Sequence, residues 1–456
     1  MGVRRRLWPS GGSQWLRRSL AYSTAEGTLA AASENLGINY VALFAVAMGA
    51  SALEVSLLTA IPNLLANSFQ LPFGRLAERT GKNKLLWIIG NTIVRWVWVP
   101  MAALPWLIHD RTWLIYSLLA LVSFRGLGMA IAIPAWTSLM ANLTHRSWRG
   151  AYFALRNILA NLVALAASVV AGYLIKGFGY PAGYAVAFGA AWFIGIFSLL
   201  VILPVHDPAA QTRVAPGAGS AGGTPARDAP GQRRMLFASD WLAGGPARWK
   251  SEAPGFYEYA VAAFLWNTAV HLPIALFPVH FTQQLYGTEE LWGIANGATF
   301  LTTILGQRYW GRLCDRVGQR PVMIWSGVWA AMLPVWWAII PSSEWVVAIN
   351  VVGGLAWAGY NLAAFNLILE VTPDSRRPSY VAVFNLGVGV AASAGPILGG
   401  WLAEYVGTAP VMALSGVFRL ASLALFARWS GMRVAWKRAR LFSARDRWLS
   451  GGAARR

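Results

Sequence analysis

Charged side chains are scarce in this chain. They make up 12% of its 456 residues, while 56% are hydrophobic. An ordinary soluble domain carries about 25% charged and about 45–50% apolar residues. So few polar groups could not cover a soluble fold of this size, and lipid is the expected solvent. Cysteine is nearly absent as well. Cys314 stands alone, which excludes an intrachain disulfide framework. It reads as a small packing residue, because its counterpart in the repeat described below is Ala77. The N-terminal stretch "MGVRRRLWPSGGSQWLRRSL" has no apolar core before Ala21, so a cleaved signal peptide is not expected. Also missing are metal-ligand spacing, a phosphate-cradling loop with its lysine, and a Ser–His–Asp arrangement that topology would join. No enzyme, metal or cofactor is expected.

What the chain has in abundance is long apolar sequence. Crossing a bilayer takes roughly 20 mostly apolar residues. Twelve such stretches fall near 24–47, 54–73, 84–107, 113–141, 151–175, 182–204, 257–281, 290–311, 320–341, 345–370, 380–404 and 408–429. Each is continuous rather than alternating, which favours helices over barrel strands. The 25 tryptophans suit membrane–water interfaces. The expected fold class is therefore all-α integral membrane, with twelve transmembrane helices. Residues 1–23 form a basic cytoplasmic tail, 24–204 an N-terminal six-helix bundle and 253–432 a C-terminal one, with a second basic tail at 433–456. The connector at 205–252 is rich in Pro, Gly and Ala and has no face to bury, so a flexible linker is expected. Its piece "RRMLFASDWL" could lie on the membrane surface.

Charge sets the orientation, because Lys and Arg remain in short cytoplasmic loops. Arg4, Arg5, Arg6, Arg17 and Arg18 precede the first stretch, and Arg75, Arg79, Lys82 and Lys84 follow the second. Arg146 and Arg149 follow the fourth, Arg312, Arg316 and Arg320 the eighth, and Arg376 and Arg377 the tenth. The opposite loops hold Arg111 and Lys176 beside Glu54, Asp110, Glu289, Glu290, Glu344 and Glu404. Both termini and the connector are thus expected in the cytoplasm. The net charge of +20 would suggest nucleic acid in a soluble protein. Here it follows topology, and no nucleic-acid partner is expected.

One phrase is written twice. Residues 74–84 read "GRLAERTGKNK" and residues 311–321 read "GRLCDRVGQRP", 237 positions apart. A shift of about 228 then pairs "NLTHRSWRGAYFALRN" (142–157) with "EVTPDSRRPSYVAVFN" (370–385). Repeats of this kind, related by an axis along the membrane normal, build many secondary transporters. With these motifs the chain resembles the major facilitator superfamily, whose signature between helices 2 and 3 is G-x-L-A-D-R-x-G-R-K/R. The first copy supplies Gly74, Arg75, Glu78, Arg79, Gly81 and Lys82; the second supplies Gly311, Arg312, Asp315, Arg316, Gly318 and Arg320. The resemblance implies two six-helix bundles rocking about a midplane site. It also implies that Glu78, where the family has Asp, and Asp315 lock an inner gate against helix N-termini of the other half. The alternative is that both phrases are solvated basic loops.

Ionisable groups within the bilayer are costly and are candidates for function by default. Glu34 lies within "ASENLGINY", and the 237-residue offset brings His271 to the equivalent place. Arg125 lies midway along the fourth stretch, followed by glycines in a manner similar to the family's helix 4. Helices 1, 4, 7 and 10 line the central cavity in that family. Glu34 would be a proton-titrating carboxylate with Arg125 as its counter-charge, or else the two form a fixed interhelical pair. His271 would be a second titratable or substrate-binding group, or a simple interhelical hydrogen bonder. Trp357, Tyr360 and Asn361 in "GLAWAGYNLAAFN" form an aromatic-polar cluster suited to an organic substrate, or packing.

Arg95 and Arg419 are expected to snorkel or pair locally. Asn63, Asn67, Gln70, Asn157 and Asn161 are expected to hydrogen-bond between helices. Gly395, Pro396, Gly399 and Gly400 in "GPILGG" are expected to let the two halves pack closely. The functional expectation is a monomeric secondary transporter of a small organic solute, with protons as a possible partner. The rivals are a non-transporting sensor or assembly factor on the same scaffold, and a mover of lipid-like molecules.

Overall fold

The computed structural model describes residues 14–144, 149–205, 250–251, 253–373 and 377–429. The termini, nearly all of the connector, and Arg146 and Arg376 fall outside the described residues. In chain order the described helices are α1 (Gln14–Ala47), α2 (Ala52–Thr80), α3 (Asn83–Trp96), α4 (Trp98–Leu107), α5 (Arg111–Leu143), α6 (Arg149–Phe178) and α7 (Ala182–Ile202). The second half continues with α8 (Pro254–His271), α9 (Leu276–Gln283), α10 (Glu289–Val317), α11 (Gln319–Ile339), α12 (Trp345–Val371), α13 (Arg377–Val406) and α14 (Thr408–Trp429).

These make twelve rods, because α3 and α4 form one interrupted rod and α8 and α9 another. Ten rods are long and apolar enough to cross a membrane by composition alone. The remaining two are α2 and α10, the equivalent rods that carry the duplicated phrase.

Several boundaries differ from the apolar stretches. The first helix begins at Gln14 rather than 24, because Leu16 and Leu20 of the expected tail pack with Trp87, Leu139 and Leu143. Helix α2 runs to Thr80 rather than 73, and α10 to Val317 rather than 311. Most of each phrase is therefore helical and not loop. Its Arg, Leu, Ala and Glu residues are good helix formers, and an apolar count stops short of them. The turns come at Gly81 (φ 64°) and Gly318 (φ 88°), a backbone region that glycine enters without a Cβ penalty.

Packing repeats between the halves. In the N-half α1 packs on α6 and α7, and α5 on α2 and α3; in the C-half α8 packs on α13 and α14, and α12 on α10 and α11. The halves meet where α6 packs on α10 and α2 on α13, with α9 inserted against α1 and α2. Ala275, just before α9, and Val279 of α9 join the N-half core around Tyr40, Phe44 and Phe188. Outward-facing rings such as Trp106, Trp113, Trp345 and Tyr405 are exposed at the end opposite the phrases, where an aromatic belt would meet headgroups.

Candidate functional site

Near the middle of α1, Glu34 is held by two arginines. Arg95 of α3 donates from Nη1 to Oε1, and Arg125 of α5 donates from Nη2 to Oε2. The side chains differ in exposure: Arg95 3%, Arg125 10% and Glu34 25%. The Arg125 guanidinium also lies over the ring of Trp98, 5.4 Å from its centroid. Trp98 opens α4 just past the interruption at Val97, and its ring packs on Gly37 of α1. Arg125 is thus the partner expected for Glu34. Arg95 is not the snorkelling or local pair expected of it, because its rod turns inward and buries it against α1.

A second pair lies toward the phrase end. Glu26, two turns before Glu34 on α1, is buried and accepts from Arg156 Nη2 of α6 at 3.4 Å. Arg156 crosses Gly27 and sits 4.9 Å from the Trp136 centroid. Sequence reasoning missed both residues. The available signal was the eight-residue spacing of Glu26 and Glu34, which places them on one helix face.

In the C-half, Trp266 and Tyr360 stack at 4.5 Å, and Trp357 sits edge-on 5.8 Å from Tyr360. Tyr360 is buried, while Asn361 is exposed. His271 is half-buried, and its Nδ1 lies 2.8 Å from the Asn267 carbonyl of its own helix. Arg419 is buried and reaches the carbonyls of Ala330 at 2.8 Å and Val270 at 3.3 Å. That corrects the expectation of a snorkelling residue. Both carbonyls lie just before helix-breaking prolines, and Arg419 serves them instead of lipid headgroups.

The expected packing between the halves is met by Gly400 alone, on Ser56 of α2; Gly395 and Gly399 of α13 pack instead on His271 and Leu272 of their own half, at the interruption after α8. Pro396 sits within α13 beside them. The five polar residues expected to bond between helices do not. Among the described residues no hydrogen bond is made by the side chains of Asn63, Asn67, Gln70, Asn157 or Asn161, and Asn67 and Asn157 are exposed. They flank the seam between the halves, and where α13 does come close, beside Asn67, it presents Gly389, which has no side chain to bond.

The two ends of the seam contrast. At the end opposite the phrases, Trp292 of α10 donates Nε1 to the Asn39 carbonyl at 2.9 Å, and Tyr184 donates to Glu289 at 3.1 Å. Lys176 pairs with Glu290, and Ser51 donates to Glu404 at 2.8 Å. Helices α6 and α10 approach so closely that a Cβ on Gly172 would lie 2.7 Å from Glu290 Cα, and one on Gly293 2.5 Å from the Ser168 carbonyl.

At the phrase end Arg75, Glu78, Arg79, Lys82, Arg312, Asp315 and Arg316 are all exposed. Gly74 and Gly311 are half-buried on their helices, and Arg320 lies 3.9 Å from Glu370 of its own half. Among the described residues neither Glu78 nor Asp315 pairs with the other half.

Two like bundles of membrane-length helices, joined at one end and carrying buried charge at midplane, define a multi-pass membrane protein of the transporter class. A profile of the Major Facilitator Superfamily matches residues 24–288 and 259–450, and the chain belongs to that family. It is similar to the multi-drug resistance efflux pump PmrA of Streptococcus pneumoniae, 26% identical over 158 residues, which are 34% of this chain and 39% of that protein. It is also similar to the multidrug resistance protein MdtG of Dickeya zeae, 25% identical over 176 residues, 38% of this chain and 42% of that protein. The match thus spans about two fifths of these relatives' length.

Among solved structures, a point mutant of the nucleoside transporter NupG superposes with a TM-score of 0.68 at 13% identity, over 91% of this chain and 99% of that one. A bacterial homolog of the human lysosomal transporter Spinster, in an inward-facing and unoccupied conformation, gives 0.64 at 15% identity over 92% and 98%. At these identities the likeness is one of fold.

Proposed function

We propose that this chain is a secondary transporter that carries a small organic solute across a bacterial-type inner membrane by alternating access. It acts as a monomer with both termini in the cytoplasm, and Glu34 is its proton-coupling carboxylate. One observation carries the reading: the seam is bonded shut at one end, while at the other Glu78 and Asp315 stand exposed and, among the described residues, make no ion pair with the opposite half. That is one of the two access states a rocking pair of bundles must have. With the basic phrases in the cytoplasm, the open end faces inward. Swivelling would bring Glu78 and Asp315 onto the opposite half as the bonds at Asn39, Glu289, Glu290 and Glu404 part. The two relatives above are named for drug resistance, and PmrA for efflux, which supports export as the direction.

Cysteine pairs test the swivel. Disulfide trapping of Lys176→Cys with Glu290→Cys should stop transport of a fluorescent drug panel in inverted vesicles, with reduction restoring it. Glu34→Gln should abolish proton-driven transport at normal expression. Full transport by the trapped protein would end the alternating-access reading, and full proton-driven transport by Glu34→Gln would end the coupling role.

A further inference from the structure

We infer that the carried solute is an organic anion whose acidic group docks on Arg125, taking the place of one Glu34 oxygen. The inference rests on the transport reading above and adds the charge of the cargo. The site joins two guanidiniums to a single carboxylate and so holds an excess of one positive charge inside the membrane. Arg156 faces Glu26. Arg419 has no carboxylate partner either, but it is sealed at 2% exposure against backbone carbonyls. The excess that a solute can reach is therefore the one at Arg125, whose side chain is 10% exposed. Unneutralised charge away from water is costly, and an anion would relieve it.

Donor capacity points the same way. A guanidinium carries five N–H groups, yet Arg95 and Arg125 each give a single nitrogen to Glu34, and the Nε of each is buried without an acceptor. Exposure assigns the roles. Arg95, at 3%, is the anchor sealed beneath Glu34, while Arg125 and Glu34 remain open at 10% and 25%. The face of Trp98 supports the Arg125 plane from behind. The free edge of that plane suits the two oxygens of a carboxylate, sulfonate or phosphate. A cationic solute would have to part Glu34 from Arg125 and strand a buried guanidinium, so the geometry disfavours it.

Three probes sharing one ring system test the charge: 1-naphthoate, 1-naphthylmethylammonium and 1-naphthalenemethanol. Each is titrated into the purified full chain while thermal unfolding is followed. Naphthoate should raise the midpoint saturably, and the other two should leave it unmoved. Glu34→Gln, nearly isosteric, removes the competing carboxylate and should tighten naphthoate about fivefold; Arg125→Lys, which keeps charge but not the fork, should weaken it about tenfold. Stabilisation led by the ammonium probe, equal stabilisation by all three, no stabilisation by any, or weaker naphthoate binding to Glu34→Gln would overturn the inference. The charge preference is read on the unmodified protein, so it does not depend on a variant folding. Disulfide trapping at 176 and 290 reports on alternation separately, so either idea can fail alone.

Discussion

Arg419 of α14 donates to the carbonyl of Ala330 in α11 at 2.8 Å, and that carbonyl is the one Pro334 leaves without a helical partner. A proline at i has no N–H to return to the carbonyl at i−4. Pro273 does the same to Ala269 at the interruption after α8, where Ser415 Oγ donates at 2.6 Å, and Arg419 reaches the next carbonyl, Val270, at 3.3 Å. Membrane helices tolerate such breaks only when neighbours satisfy the freed groups. Helix α14 thus serves two breaks at once.

Arg419→Met should accordingly destabilise the C-half, by on the order of 3 kcal/mol, because it orphans buried carbonyls. Adding Pro334→Ala should recover about half of that loss by supplying the missing N–H. A double-mutant cycle in detergent unfolding reads the coupling; strict additivity would reject this role for Arg419.

Arg95 and Arg125 should behave differently although both hold Glu34. Removing the sealed partner leaves a half-buried carboxylate within the membrane only half-paired, so Arg95→Met should cost roughly 3 kcal/mol of stability. Arg125→Gln should retain most of the stability and lose transport. Paired measurements of unfolding and vesicle transport separate the two, and equal destabilisation would contradict the assignment of anchor and docking group.

A side chain at Gly293 should keep the far end of the seam from closing. Gly293→Leu meets backbone at Ser168 and should shift the two-state balance toward the opposite access state by about tenfold, or 1.4 kcal/mol. Spin labels at 79 and 316 should then report a shorter distance than in the unmodified protein. An unchanged distance distribution would show that this close approach does not gate the seam.

Cys314 is buried in α10, at the place Ala77 holds in the first half. Cys314→Ala should leave unfolding and transport within measurement error, giving a cysteine-free background for the labelling above. Loss of transport would reveal a role for the thiol that packing does not explain.

Much of this architecture was legible in the apolar stretches and the repeated phrase, and Glu34 with Arg125 could be paired from their depth together with the family resemblance of their helices. The partner Arg95 could not. Helix α3 is part of an interrupted rod, and nothing in its composition says which side turns inward. Glu26 and Arg156 escaped because Glu26 lies near the start of its apolar stretch, where an acid reads as interfacial. The ends of α2 and α10 escaped because helix propensity continues where hydropathy stops. Arg419 was readable in principle: Pro273 and Pro334 announce orphaned carbonyls four residues earlier.

The hydroxyl of Ser51 serves two masters at the far end of the seam. It accepts from the backbone of Glu54 at 3.3 Å to start α2, and it donates to Glu404 of the other half at 2.8 Å. The Glu54 carboxylate meanwhile holds the Ser51 amide at 2.7 Å and is itself held by Arg111 at 2.8 Å. When the bundles separate, only the bond to Glu404 need break, and the first turn of α2 stays wound. The latch and the hinge pin are different atoms, so this door can swing without loosening its frame.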